Sequence, residues 1–191
     1  MYYQPTGRPH VMTKLAEFLP PRNRHYPMDI AYCEAGPTMT KAEDGMLGYV
    51  WKAFLRGNEL CVKREDLDEI HVITTKENIT QLDITFDQTM RPFLCYVKDG
   101  LPYYYHFNKD DSSYSEVALD PTVTFPRCAL DRPYDIPNSD IYIGYNRNGD
   151  LCCRIQRERF TKEYVLATIP HKSMVWRIGR TKDGRFGYQW R

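Results

Sequence analysis

From Gly45 onward, apolar strand-like runs alternate with short polar turns that contain glycine. Four segments share this plan, residues 49–62, 93–107, 141–155 and 176–190. Three of their turns contain an Asp-Gly or Asn-Gly dipeptide, which tolerates positive φ at both central positions of a two-residue turn. These turns are Lys98-Asp99-Gly100, Arg147-Asn148-Gly149 and Lys182-Asp183-Gly184, and Arg56-Gly57-Asn58 is a looser version. The pattern predicts four β-hairpins.

The spacing of the hairpins indicates how they are organised. Gly57, Gly100, Gly149 and Gly184 are separated by 43, 49 and 35 residues, and repeats of ~40–50 residues are typical of propeller blades. Further strands are predicted around the second and third hairpins, over residues 79–86, 114–119 and 125–130. We expect an all-β fold of antiparallel hairpin repeats, either propeller-like or a curved meander. A β-sandwich with the same hairpins is the alternative. About three blades cannot close a propeller alone, so we expect open edges that meet a partner.

Apolar residues occupy both faces of the predicted inner strands. Phe93, Cys95 and Val97 alternate with Leu94 and Tyr96. The same holds for Ile141, Ile143 and Tyr145, which oppose Tyr142 and Gly144. Strands with apolar residues on both faces are typically covered by other elements on both sides. Polar residues interrupt the pattern over residues 151–158, so we expect that strand to lie nearer solvent.

Two aspartates, Asp87 and Asp131, follow predicted strands and precede polar turns. A carboxylate in this place accepts hydrogen bonds from turn amides, which gives both residues a structural role.

Residues 1–37 differ from the rest because they hold six of the 13 prolines, a density that we expect to exclude regular sheet. Met12, Leu15, Ala16 and Leu19 recur at helical spacing, which predicts a short helix over residues 13–18 that ends before Pro20. The segment is either a loosely packed arm or an arm that docks on a neighbouring subunit. The docking residues would be Tyr2, Tyr3, Met12, Leu15 and Leu19. We therefore divide the chain into an arm, residues 1–37, and a repeated β-meander domain, residues 38–191.

The charge and composition of the chain limit the classes of binding partner that we expect. Lys and Arg number 26 against 25 Asp and Glu, a net charge of +1, and a nucleic-acid-binding domain normally shows a basic excess. The local set Arg154, Arg157, Arg159 and Lys162 is interrupted by Glu158 and Glu163, and we interpret it as a solvated strand edge. No apolar stretch reaches membrane-spanning length and the N-terminus lacks a signal-peptide core. We expect neither nucleic acid nor membrane as a partner.

The six cysteines include no C-x-x-C pair, so zinc-ribbon and thioredoxin-like sites are excluded. Without a secretion signal, reduced cysteines in the core are the expectation.

No catalytic, cofactor or metal site emerges from the sequence. The five histidines are isolated and no nucleophile elbow or phosphate loop occurs. Residues 110–113 lack the ligand periodicity of a calcium site. Asp83, Asp87, Asp131 and Asp140 could pair for glycoside hydrolysis if two came close enough. The aromatic run 103–107 fits either a sugar-stacking surface formed by Tyr103, Tyr105 and Phe107 or core packing, and we favour core packing.

Three segments, residues 27–37, 82–92 and 140–160, resemble a family of virion structural proteins from tailed bacteriophages. The patterns typical of that family are F-D-Q-x-x-R-P, here at residues 86–92, and Y-x-R-x-G-x-L-x-x-R-x-Q-R-x-R-[FY], here at residues 145–160. Cys152 and Cys153 replace an aromatic or apolar pair within the second pattern.

The resemblance covers roughly residues 20–191 and implies a non-enzymatic structural component of a tail or head–tail connector. Such a protein would be assembled into the virion in the host cytoplasm, dock with other tail, collar or connector subunits, and form a symmetric homo-oligomer. The resemblance brings no catalytic residue with it. A receptor- or carbohydrate-binding module at a tail tip or fibre is the alternative, and a glycoside hydrolase is less favoured.

Overall fold

A computed structural model describes residues 10–12, 30–35, 41–42, 45–46, 49–75, 78–131, 138–171, 173–180 and 186–190. The all-β prediction is confirmed, since strands and tight turns account for nearly all of these residues. In chain order the strands are β1 (His10–Met12), β2 (Ile30–Ala35), β3 (Lys41–Ala42), β4 (Gly45–Met46), β5 (Tyr49–Arg56), β6 (Glu59–Arg64), β7 (Ile70–Thr75), β8 (Ile79–Phe86), β9 (Pro92–Lys98), β10 (Leu101–Asn108), β11 (Ser113–Ala118), β12 (Val123–Leu130), β13 (Ile141–Arg147), β14 (Asp150–Ile155), β15 (Tyr164–Thr168), β16 (Val175–Arg180) and β17 (Phe186–Trp190). A 3₁₀ turn, Gln156–Glu158, follows β14.

The strands form three four-stranded sheets and two smaller ones. The first sheet has the order β2-β5-β6-β7, the second β8-β9-β10-β11 and the third β12-β13-β14-β15. The fourth sheet has the order β1-β17-β16, and β3 pairs with β4. Neighbouring strands are antiparallel except β1, which runs parallel to β17. Each four-stranded sheet is therefore a meander, as the hairpin pattern predicts.

The sheets stack face to face with their first strands side by side. β8 contacts both β2 and β12, and β12 contacts β16. One apolar layer lies between the first and second sheets, another between the second and third, and another between the third and fourth. This stacking is compatible with a propeller-like arrangement and with a curved meander.

Both faces of the inner strands are covered, as predicted. Phe93 and Cys95 join the layer toward the third sheet, while Leu94 and Tyr96 join the layer toward the first. On β13, a Cβ added to Gly144 would lie 2.9 Å from both Ile178 Cγ2 and Tyr188 Cε1. The fourth sheet thus approaches β13 too closely for any larger residue there.

The two Asp-Gly and Asn-Gly turns that lie within the described residues adopt the predicted conformation, whereas at the looser turn Gly57 has positive φ and Asn58 does not. Asp99 and Gly100 have φ of 51° and 79°, and Asn148 and Gly149 have φ of 54° and 94°. Positive φ at both central residues is the type I′ signature, whose twist matches that of the flanking strands. Gly184 lies outside the described residues.

The fourth hairpin is correctly located but occupies a different place in its sheet. In the first three sheets the glycine turn joins the second and third strands, whereas β16 packs on β12 as a first strand. The 35-residue spacing before Gly184 is shorter because the described residues between β15 and β16 contain no further strand.

Two expectations about solvent and proline are wrong. β14 is not near solvent: Cys152 and Cys153 are both fully buried, because this third strand lies between the second and fourth sheets.

Prolines do not exclude sheet from residues 1–37, since β1 and β2 lie there. Residues 28–36 contain no proline, so β2 has uninterrupted backbone donors for its ladder with β5.

A matched irregularity appears in β8 and β12. The ladder shifts register between Thr80 and Asp83 in β8 and between Thr124 and Arg127 in β12. Arg127 is 1% exposed; its Nε donates to Val175 O and its Nη1 to Leu82 O, both at 3.3 Å. Because those carbonyls belong to β16 and β8, one guanidinium connects the first strands of three sheets.

Candidate functional site

A cleft of about 1020 Å³ opens at one end of the second and third sheets. Its walls are the β8–β9 turn, the β10–β11 turn, the segment that precedes β13 and the turn that follows β14. Loops held by a rigid sheet scaffold are the usual place for binding residues. Parts of two sequence patterns singled out above, residues 86–92 and 145–160, therefore meet here.

Asp87 shapes the β8–β9 wall. Its Oδ1 accepts hydrogen bonds from Thr89 N at 2.8 Å, Thr89 Oγ1 at 2.7 Å and Arg91 N at 3.0 Å. The carboxylate is 7% exposed, so these donors replace the water that it gives up. The predicted turn role of Asp87 is confirmed. Asp131 acts in the same way, since its Oδ1 accepts from Asp140 N at 3.0 Å.

The wall after β14 is built from the 3₁₀ turn. Gln156 Oε1 accepts from Ile141 N at 3.1 Å, and the Arg157 guanidinium pairs with Asp140. Arg159 and Phe160 then take positive φ, 55° and 57°. This bend drives the Phe160 ring into the core, 5.1 Å from Phe93 between ring centroids.

The β10–β11 turn supplies a second ion pair. Asp110 Oδ2 lies 2.9 Å from Arg159 Nη1 across the cleft mouth. Asn108 stabilises the turn, because its Oδ1 accepts from Asp110 N at 3.1 Å and its Nδ2 donates to Asp111 Oδ2 at 3.1 Å. The pair is largely exposed, so it orients the arginine more than it stabilises the fold.

Two rings at the end of β10 line the cleft. Phe107 is half-buried, with the Arg91 guanidinium 3.6 Å from its ring centroid. His106 is half-buried, and this burial lowers the pKa of its imidazole below the ordinary 6.5. At neutral pH His106 is therefore uncharged and offers one donor and one acceptor.

The aromatic run 103–107 divides between core and surface packing. Tyr104 is 5% exposed and stacks on Phe93 at 5.8 Å. Tyr103 and Tyr105 pack against the layer between the first and second sheets. These contacts give Tyr103 and Tyr105 packing roles. Of Tyr103, Tyr105 and Phe107, only Phe107 lines the cleft.

The carboxylates considered for hydrolysis do not come together as a group. Asp87 and Asp140 line the cleft, but each is engaged, Asp87 by its turn and Asp140 by Arg157. Asp83 lies on the inner strand β8, where its Oδ2 accepts from Cys128 N at 2.9 Å.

The interrupted basic set is neutralised internally. Arg154 Nε donates to Tyr145 Oη at 2.9 Å, and its Nη2 lies 3.8 Å from Glu163 Oε2. Arg157 and Arg159 pair with aspartates, and Lys162 Nζ lies 4.7 Å from the centroid of the Tyr164 ring.

A repeated contact ties the outer strands of two sheets to their second strands. Tyr96 Oη donates to Glu116 Oε2 at 2.5 Å, and Lys98 pairs with the same carboxylate. In the third sheet, Tyr145 Oη donates to Glu163 Oε2 at 2.5 Å, and Arg147 pairs with Glu163 at 2.7 Å. Burial and these bonds raise the pKa of both tyrosines.

The outer strands of the first and third sheets are uncharged and exposed. β7 reads Ile-His-Val-Ile-Thr-Thr and β15 reads Tyr-Val-Leu-Ala-Thr, with no Lys, Arg, Asp, Glu or Pro in either. Val72 is 46% exposed and Val165 is 53% exposed. Among the described strands, β7 pairs with β6 alone and β15 with β14 alone. Each therefore presents an outer edge.

Most of the predicted docking arm lies outside the described residues, which exclude Tyr2, Tyr3, Leu15, Leu19 and the expected helix over residues 13–18. The backbone of Met12 lies in β1, paired with Tyr188 of β17. The docking role of the arm stays a prediction.

All six cysteines are buried thiols in or beside the apolar layers. Within the described ranges, no group of three or more His, Cys, Asp or Glu residues could hold a metal ion. No helix in the described part of the chain is long and apolar enough to cross a membrane.

No family model, curated protein or solved structure matches the chain.

Proposed function

We propose that this protein is a non-enzymatic structural component of a phage virion, in the tail or the head–tail connector, that acts by docking with neighbouring subunits. The observation that carries the proposal is that β7 and β15 have exposed valines and contain no Lys, Arg, Asp, Glu or Pro. The resemblance of residues 27–37, 82–92 and 140–160 to virion proteins is the reason for placing this component in a phage particle.

An exposed sheet edge is a row of unpaired N–H and C=O groups that accepts a further strand. Proteins that remain monomeric protect such edges with lysine, proline or bulges. β11 follows this practice in part, because Glu116 lies on it. β7 and β15 contain no lysine or proline, and each carries an exposed valine, Val72 or Val165. The ladder of each strand with its neighbour shifts register once, which leaves the rest of the strand free to pair. An edge of this kind is suited to be covered in an assembly.

The outer edges of β7 and β15 belong to different sheets. This determines which kind of symmetric contact they could make between copies. Pairing of β7 of one copy with β15 of the next would be a head-to-tail contact. Such contacts generate closed rings when the rotation between copies closes. A ring of copies around a tail or connector is therefore the assembly that we propose, with other virion proteins above and below it.

Lysine substitution tests the edges directly. We expect Val72→Lys and Val165→Lys to reduce incorporation into phage particles at least tenfold, because a buried lysine opposes strand addition. Leu101→Lys is the matched control: Leu101 is 42% exposed but lies on β10, which is paired on both sides. The measurement is the amount of each variant in purified particles, alongside circular dichroism of the free protein.

Normal incorporation of both valine variants would overturn the proposal. Equal loss with Leu101→Lys would also contradict it, since the effect would then not belong to the edges.

A further inference from the structure

The cleft between the second and third sheets plays no part in docking through β7 and β15. It lies at the turn end of the sheets, whereas the proposed interface lies along their outer strands. Its volume, about 1020 Å³, lies at the upper end of the ~300–1,000 Å³ typical of small-ligand sites. A ligand that fills it is larger than a single sugar or nucleobase.

The charges of the described lining residues cancel. Three aspartates and three cations line the cleft, namely Asp87, Asp110, Asp140, Lys109, Arg157 and Arg159. Arg157 pairs with Asp140, and Arg159 pairs with Asp110 at 2.9 Å. An anionic ligand that approached either guanidinium would be repelled by the neighbouring carboxylate. A cationic ligand that approached either carboxylate would be repelled by the neighbouring guanidinium. The cleft therefore favours a ligand without net charge.

The remaining polar groups suit hydroxyls. Side-chain amides line the cleft at Gln88, Asn108, Asn138 and Gln156, and hydroxyls at Thr89 and Ser139. An amide presents a donor and an acceptor side by side, which matches neighbouring hydroxyls that both donate and accept. Hydrogen bonds at 3.1 Å orient two of these amides, Asn108 through Asp110 N and Gln156 through Ile141 N. Such fixed groups lose little freedom when a ligand binds.

Apolar surface lies beside these groups. Phe107 and the uncharged imidazole of His106 are half-buried at the end of β10. Phe160 is 2% exposed and anchors the far wall in the core. A pocket with some aromatic surface and a set of oriented polar groups is the usual composition of a specific ligand site.

We propose that this cleft binds a short, uncharged oligosaccharide. The charge balance excludes strongly charged ligands, the oriented amides match sugar hydroxyls, and the half-buried rings match the apolar faces of sugars. On a virion component, such a site would give contact with a glycan of the host surface.

The test uses the purified full chain and an array of short neutral oligosaccharides beside sialylated and sulfated ones. We expect binding to at least one neutral oligosaccharide and not to the charged ones. Calorimetric titration with the bound neutral sugar then compares the wild type with the variant Gln88→Ala/Lys109→Ala, for which we expect at least tenfold weaker binding. The matched control is Asn58→Ala/Lys63→Ala on the first sheet, which should bind as tightly as the wild type.

Three outcomes would overturn the proposal: no binding to any neutral oligosaccharide, preference for the charged ones, or equal affinity of wild type and cleft variant. Because the isolated chain is used, none of these results bears on incorporation into particles. A failure of the glycan site is therefore distinguishable from a failure of the docking proposal.

Discussion

At the scale of single residues, close packing and positive φ decide which side chains the fold tolerates. Gly144 illustrates the first constraint, because a Cβ there would lie 2.9 Å from atoms of Ile178 and Tyr188. Gly100 illustrates the second, since its φ is +79° and nothing lies within 4 Å of an added Cβ. The sequence alone predicts the role of Gly100 from its Asp-Gly turn, but the role of Gly144 depends on a partner more than 30 residues away.

We predict that Gly144→Ala destabilises the protein by about 1–3 kcal/mol, the usual effect of overpacking. Glycine-to-alanine changes at permissive sites instead stabilise by about 0.4–1 kcal/mol through the unfolded chain, so the sign of the change is informative. Urea unfolding followed by tryptophan fluorescence measures it. The double variant Gly144→Ala/Ile178→Ala should lose less than the sum of its two single variants. A neutral or stabilising Gly144→Ala would show that the fourth sheet does not pack on β13.

At the scale of elements, buried aspartates terminate strands and shape the turns that follow. Asp87 and Asp120 make similar local bonds: each Oδ1 accepts from the N–H and the hydroxyl of the threonine two residues later. They differ in burial, because Asp87 is 7% exposed and Asp120 is exposed to water. Water therefore replaces the carboxylate less easily at the buried position of Asp87 than at the exposed position of Asp120.

We therefore predict that Asp87→Ala lowers the free energy of unfolding by about 1–3 kcal/mol, since three donors lose a shared acceptor that is itself buried. Asp120→Ala should have a much smaller effect, because water replaces the lost bonds. The two variants are compared by thermal and urea unfolding under identical conditions. Equal effects of the two substitutions would contradict the role given to burial.

The hairpins and most strand bounds could be predicted from the sequence because their signals are local. An Asp-Gly or Asn-Gly dipeptide fixes a turn within four residues, and alternation fixes its flanks. The bulges of β8 and β12 were missed, although Pro126 was a usable signal for the second. The different place of the fourth hairpin was missed because it depends on which strand packs against β12.

The cleft could not be predicted, although the residues that form it were visible. The sequence indicates a turn role for Asp87 and a possible catalytic role for Asp87 and Asp140, and it indicates only a solvated strand edge for Arg157 and Arg159. These residues converge because the second and third sheets stack with their turns at one end. The sequence does not reveal this, because the residues lie far apart along the chain. Turn chemistry is local, whereas a site between two sheets is a property of their packing.

At the scale of the whole molecule, Arg127 is the polar group that connects the stack. Its guanidinium donates to carbonyls of β8 and β16 from β12. We predict that Arg127→Met lowers the free energy of unfolding by about 2–4 kcal/mol, because two buried carbonyls lose their donor. Arg159→Met should change it by less than about 0.5 kcal/mol, since that arginine is 77% exposed. Urea unfolding compares the two, and an equally small effect at Arg127 would refute the connecting role.

The stack also leaves β7 and β15 with outer edges that carry no charged residue and no proline, which is the basis of the assembly proposal. The most direct test is an electron cryomicroscopy map of phage particles that contain this chain, at a resolution that traces strands. We expect several symmetry-related copies in the tail or connector, with the outer edges of β7 and β15 each paired with a strand of a neighbouring subunit. A map in which both edges face solvent in every copy, or in which the chain is absent from the particle, would contradict the proposal.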